Sequence, residues 1–197
     1  MMQKINFVAM AAGISTLLLI VLSLFVPWWQ FTAINPANVQ VNFSPVNLNL
    51  IVSGSTVAIP LVLALNIACL LTLLASGLIL LIYSVKPTQP YSKRLLGFGY
   101  KQPLIILVFF IIEITTIPLL MQAIGGFNLP INGAATIMIP QKFTSNSSNT
   151  SLNVSAVFGW TFYFAIVVSG LNIAARIYHR KIASSPILSP SPASTTN

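Results

Sequence analysis

Four stretches of the chain stay apolar for the length of a membrane crossing, and the segments between them either alternate apolar with polar residues or gather basic ones. The apolar runs cover residues 7–26, 57–83, 103–124 and 157–177. At 1.5 Å of rise per residue, about twenty helical residues cross the ~30 Å hydrocarbon core, so each run predicts one transmembrane helix. The second run exceeds one bilayer thickness and predicts a tilted span or a first turn outside the membrane. Pro60 suits such a turn, because the N–H it lacks would be unpaired there anyway. Asn66 and the small residues Ala64, Ala68, Ala75, Ser76 and Gly77 are candidates for close helix contact.

Two segments, residues 27–56 and 125–156, connect the spans on one side of the membrane. In the first, Val39, Val41 and Phe43 alternate with Gln40 and Asn42, and Val46, Leu48 and Leu50 alternate with Asn47 and Asn49. Ser44-Pro45 and Ser53-Gly54-Ser55 punctuate that pattern, and Thr136-Ile137-Met138-Ile139 repeats it in the second segment. A period of two predicts strands. The pattern does not say whether the loops pair with each other or with another chain. The fold class expected is an all-α membrane protein, a four-transmembrane-helix bundle with small β structure formed by the two extracytoplasmic loops. Residues 1–182 form one membrane domain, and residues 183–197, rich in Ser, Pro and Thr, are expected to be a disordered cytoplasmic tail.

Composition supports the membrane assignment. Hydrophobic residues make up 56% of the chain, charged residues 5%, and mean hydropathy is +0.89. A soluble domain devotes roughly a quarter of its residues to charge. The formal charge of +8 does not point to nucleic acid, because the nine Lys and Arg residues form no dense patch. Eight of the nine fall on the side that holds both termini and the middle loop, and only Lys142 falls in the outer loops. That asymmetry predicts a multi-pass cell-membrane protein with both termini in the cytoplasm.

The glycosylation sequons agree with this orientation, since Asn42, Asn146, Asn149 and Asn153 all lie in the outer loops. The first run is too long for a signal-peptide core and ends in Pro27-Trp28-Trp29 without a small-residue cleavage pattern, so an uncleaved span is expected. Trp28, Trp29 and Trp160 fall where amphipathic rings anchor a protein at the headgroup level. Two outer β segments over four helices, with Trp28-Trp29 opening the first loop, resemble in outline the claudin-like tetraspan membrane proteins. That family's loop pattern includes a pair of cysteines, which this chain lacks, so the resemblance transfers no residue roles.

Chemistry-bearing residues are sparse. Cys69 is the single cysteine and His179 the single histidine, so no metal or cofactor set suggests itself. His179 is expected at the protein surface beside the membrane. No nucleophile–base pair or phosphate loop stands out, and the chain is expected not to be an enzyme. One residue breaks the apolar pattern. Glu113, the only acidic residue, falls near the middle of the third run.

A lone ionised carboxylate there costs several kcal/mol, so Glu113 must hold its proton, pair, or line a polar cavity. Asn66, Thr115, Thr116 and Tyr163 could serve a neutral Glu113 as hydrogen-bond partners. Pro118 is expected to bend or interrupt the helix. The function expected is a non-catalytic structural or accessory subunit of a larger membrane complex, respiratory or cell-envelope, with glycosylated outer loops. Its partners would be the lipid bilayer and other membrane protein subunits, with no nucleic acid. The alternative is a small channel or proton-coupled transporter using Glu113. The near absence of ionisable groups in the outer loops suggests a cell surface of archaeal type exposed to acid.

Overall fold

A computed structural model describes residues 5–34, 38–85, 87, 89–126, 128–139 and 150–183. The chain forms a helical bundle crossed by four long apolar spans and crowned at one end by a small open β sheet. Helix α1 covers Phe7–Phe25, followed by strands β1 (Trp29–Ile34), β2 (Val39–Ser44), β3 (Asn47–Val52) and β4 (Ser55–Val57). Helix α2 covers Pro60–Val85, the short α3 Ser92–Gly99 and α4 Lys101–Gly125. Strands β5 (Gly133–Ile139) and β6 (Thr150–Phe158) precede α5 (Trp160–Ala183).

The sheet order is β4-β3-β2-β1-β6-β5, antiparallel throughout. The two outer loops therefore build one sheet, joined where β1 pairs with β6 from Trp29↔Phe158 to Ile34↔Asn153. Four strands come from the first loop, two more than its clearest alternation predicts. The additional ones are β1 and the three-residue β4, which β3 reaches through a two-residue turn. Ser53 and Gly54 hold that turn at φ 50° and 83°, the positive values that a tight hairpin matching strand twist requires.

Several boundaries move accordingly. Thr56 and Val57 belong to β4, so the second span begins at Pro60 and extends to Val85. Val157 and Phe158 complete β6, and the fourth span starts at Trp160. The basic middle segment contains α3, which leads directly into α4 and buries Leu96 while exposing Lys93 and Arg94. Helix α4 continues through Pro118 and stops at Gly126, whose φ of 74° lets its N–H bond back to Gln122 and Met121. The interruption expected at Pro118 does not occur.

Helix α1 packs on α2 and α5. Inside a bilayer, apolar burial gives helices little reason to associate, so close approach and packing carry the contact. Gly13 and Gly77 provide that approach: a Cβ on Gly13 would sit 3.0 Å from the Gly77 carbonyl oxygen. Of the small residues singled out on α2, Ser76 and Gly77 are buried, whereas Ala64 and Ala68 face outward. Ser76 donates its hydroxyl to Gly99 O at 2.6 Å and ties α2 to α3.

Sheet and bundle are fused by polar contacts at the end of α1, where the last carbonyls lack helical partners. Ser44 donates to Ser23 O (2.8 Å), Asn47 to Leu24 O (3.1 Å), and Thr161 to Pro27 O (2.8 Å). Trp28 fills the junction, 1% exposed, with its indole edge-on to Phe110 at 5.0 Å and its N–H donated to Ser23 Oγ at 2.7 Å. Trp29 donates its indole N–H to Ile131 O at 2.8 Å, which links the two loops. Both tryptophans are thus packed inside the protein where the sequence suggests headgroup anchors. Trp160, the first residue of α5, is 55% exposed.

Candidate functional site

The bundle is closed around α1 and open between α2 and α4. Only 22% of the most apolar stretch of the α3–α4 span is buried inside the protein, against 39% for α1. In this opening lies a groove of about 540 Å³, bounded by α2 from Ile59 to Cys69 and by α4 from Phe109 to Ile117. The β2–β3 hairpin roofs its outer end with Val41, Phe43, Leu48 and Leu50, and Trp29 lies beside them. Sixteen residues line it, and the polar side chains among them are Asn66, Glu113 and Thr116.

Each polar lining residue has a different situation. Asn66 is 6% exposed and bonded to the roof. In the amide orientation that satisfies both ends, Nδ2 donates to Pro45 O (3.2 Å) and Oδ1 accepts from Leu48 N (2.9 Å). Thr116 is exposed on the α4 wall. Glu113 is half-buried and has no hydrogen-bond or ion-pair partner among the described residues. Its nearest basic residue along α4 is Lys101, twelve residues away and so roughly 18 Å along the axis.

Of the partners expected for Glu113, Thr116 lies on the same groove wall without bonding it, and the others are occupied or turned elsewhere. Asn66 serves the hairpin, and Thr115 returns its hydroxyl to the carbonyls of Ile111 (2.9 Å) and Ile112 (3.0 Å) on its own helix. Tyr163 is 56% exposed on α5. An apolar groove with one unpaired carboxyl midway along its α4 wall can take an apolar body carrying a hydrogen-bond donor or a positive charge.

The closed side of the bundle contains polar contacts that sequence reasoning missed. At the inner end Asn6 caps α1 by accepting from Ala9 N (3.0 Å) and donates Nδ2 to the Tyr83 hydroxyl (3.1 Å). That hydroxyl lies 2.7 Å from His179 Nδ1, and the rings meet edge to face. His179, partly exposed at the inner end, is also tied to the bundle by this contact. The phenol accepts from Asn6 and can donate its own O–H to His179 Nδ1, which then accepts with the imidazole proton on Nε2. Midway along the bundle Asn172 donates to Val168 O (2.8 Å) and Thr16 Oγ1 (3.3 Å).

Among the described residues, no group of three or more His, Cys, Asp or Glu could hold a metal. Of the four sequon asparagines, Asn42 lies in β2, and Asn153 is exposed in β6, accepting from Thr136 Oγ1 at 2.9 Å. Asn146, Asn149 and the 184–197 tail lie outside the described residues. No protein-family model matches the chain, and a search of curated proteins finds no match either.

Proposed function

We propose that the chain is a non-catalytic accessory subunit of a larger membrane complex, held by its four spans and docked to a neighbour through its outer sheet. The observation that carries this reading is the β5 edge. Among the described residues β5 pairs only with β6, and Gly133–Ile139 contains no charged residue and no proline. Natural sheets guard long edge strands with such residues, because unpaired N–H and C=O groups recruit other strands. An unguarded edge is suited to a partner that adds a strand to it.

The remaining parts of the proposal follow the charge pattern. Both termini lie in the cytoplasm, and the sheet faces a cell surface of archaeal type in which Asn42 and Asn153 are glycosylation candidates. The described strands contain no Asp, Glu, Lys, Arg or His, so their pairing has no side-chain proton to gain or lose in acid.

Extraction in mild detergent tests the subunit reading, with companions recovered in fixed ratio as the expected result. Met138 is 73% exposed on the edge strand, and Met138→Lys is expected to release a companion bound there without unfolding the bundle. A homogeneous monomer or homo-oligomer from native membranes would overturn the proposal. The second reading, a channel or proton-coupled carrier, is favoured by the unpaired carboxyl in the α2–α4 groove.

A further inference from the structure

We propose that the α2–α4 groove is a binding site for a membrane-dissolved lipophilic organic cation, with the Glu113 carboxylate as its counter-ion. The proposal is independent of the accessory-subunit reading and stands whether or not the chain has a protein partner. Three features of the groove determine the occupant's chemistry.

Charge is the first. Glu113 is the only acidic residue of the chain, and no basic side chain of the described residues pairs with it. An ionisable group inside a membrane normally faces a partner or a cavity, and here it faces a cavity. A carboxyl in apolar surroundings is neutral while it holds its proton. A bound organic cation replaces that proton, which leaves to water, so the occupied site is again neutral overall.

Size and wall chemistry come next. A volume of about 540 Å³ lies within the roughly 300–1,000 Å³ typical of small-molecule sites, and apolar walls with one or two placed polar groups are their usual lining. Trp29, Phe43 and Phe109 add aromatic surface, which attracts organic cations over ring faces.

Polarity along the groove is the third feature, and it excludes the commonest membrane amphiphile. The outer end is roofed by Val41, Phe43, Leu48 and Leu50, while the carboxyl lies deeper, near the middle of α4. A phospholipid of the outer leaflet has the opposite order, with its polar head outermost and its tails within. A compact cation whose charge is shielded by apolar groups has no such head, enters sideways from the lipid between α2 and α4, and places its charge at Glu113.

The probe is radiolabelled tetraphenylphosphonium, measured by equilibrium dialysis against the full-length protein in mild detergent. Tetraphenylborate, of the same shape and opposite charge, is the control. The expected result is saturable binding of one phosphonium per chain that weakens as pH falls, because protons compete for the carboxylate. Glu113→Gln keeps the shape and removes the charge, and should weaken binding at least tenfold. Ile112→Trp fills the groove with Glu113 untouched and should weaken binding as well, which keeps the test valid if the Gln variant folds poorly. Saturable borate binding of equal strength, phosphonium binding unchanged by Glu113→Gln, or no saturable binding to folded protein would each overturn the proposal.

Discussion

The two sides of this bundle treat polar groups in opposite ways. Around α1 the polar side chains are sealed in and mostly bonded within the chain: Trp28 to Ser23, Asn172 to Thr16 and Val168, and Tyr83 to Asn6 and His179. Ser169 Oγ and Asn172 Oδ1 are left over there, but both are walled off, their residues 4% and 0% exposed. Between α2 and α4 the leftover group is a carboxyl, and it is reachable from outside. A polar atom buried in lipid costs free energy unless paired, so an unpaired group matters most where something can still reach it. The closed side serves stability and the open side is available for binding.

Trp28→Ala is the most severe way to break that contrast. The indole fills the junction of α1, α4, α5 and the sheet, touching Phe110 and Phe162 and satisfying Ser23. Large aromatic truncations in cores cost about 3–5 kcal/mol, and the cavity here lies where both outer loops are fastened to the helices. Unfolding in detergent should show a loss of that size, and hydrogen exchange should show β1, β2 and β6 opening together. A loss under about 1 kcal/mol would mean that sheet and bundle are not one cooperative unit.

Asn66→Ala gives a smaller effect and tests a polar contact that fastens the hairpin to the open side. Removing the amide leaves Leu48 N–H and Pro45 O without their partner under the hairpin, and an orphaned buried group costs about 1–3 kcal/mol. Exchange should rise in β2 and β3 and remain unchanged in β5 and β6. Uniform loosening of all six strands would show that the hairpin bonds support the whole sheet and do more than roof the groove.

The sequence showed the spans clearly because hydrocarbon demands long apolar helices whatever their neighbours are. It also showed β2, β3 and part of β5, where alternation is regular. The same period runs through Trp29, Phe31 and Ala33 against Gln30 and Thr32, and reveals β1 once Trp29 is taken as a strand residue instead of a headgroup anchor. Helix α3 is legible in principle from Leu95 and Leu96 beside Lys93 and Arg94, although the basic residues there also fit a topological role.

The contacts themselves were not legible. Tyr83 and His179 are 96 residues apart, and Trp28 meets α4 and α5 only after the chain has crossed the membrane repeatedly. Glu113 stands out in the sequence as the one acid, but the bonding of Asn66 to the hairpin and of Thr115 to its own helix, with Thr116 on the groove wall, is set by tertiary contacts that no pattern shows.

The smallest expected effect is also the sharpest test of the comparison. If Glu113 has no partner within the chain, Glu113→Gln orphans nothing, and the new amide sits in the same half-open groove. Substitutions away from core contacts and buried networks usually change stability by less than about 0.5 kcal/mol, and this one belongs with them, although it removes the only acidic side chain of the protein. A loss above ~1 kcal/mol, comparable to Asn66→Ala, would mean that the carboxyl is bonded inside the bundle as a packing element and that the groove is no freer than the closed side. A change near zero, measured by unfolding in the same detergent, would leave Glu113 without a structural role within the chain, so any loss of function in the variant would reflect what binds in the groove.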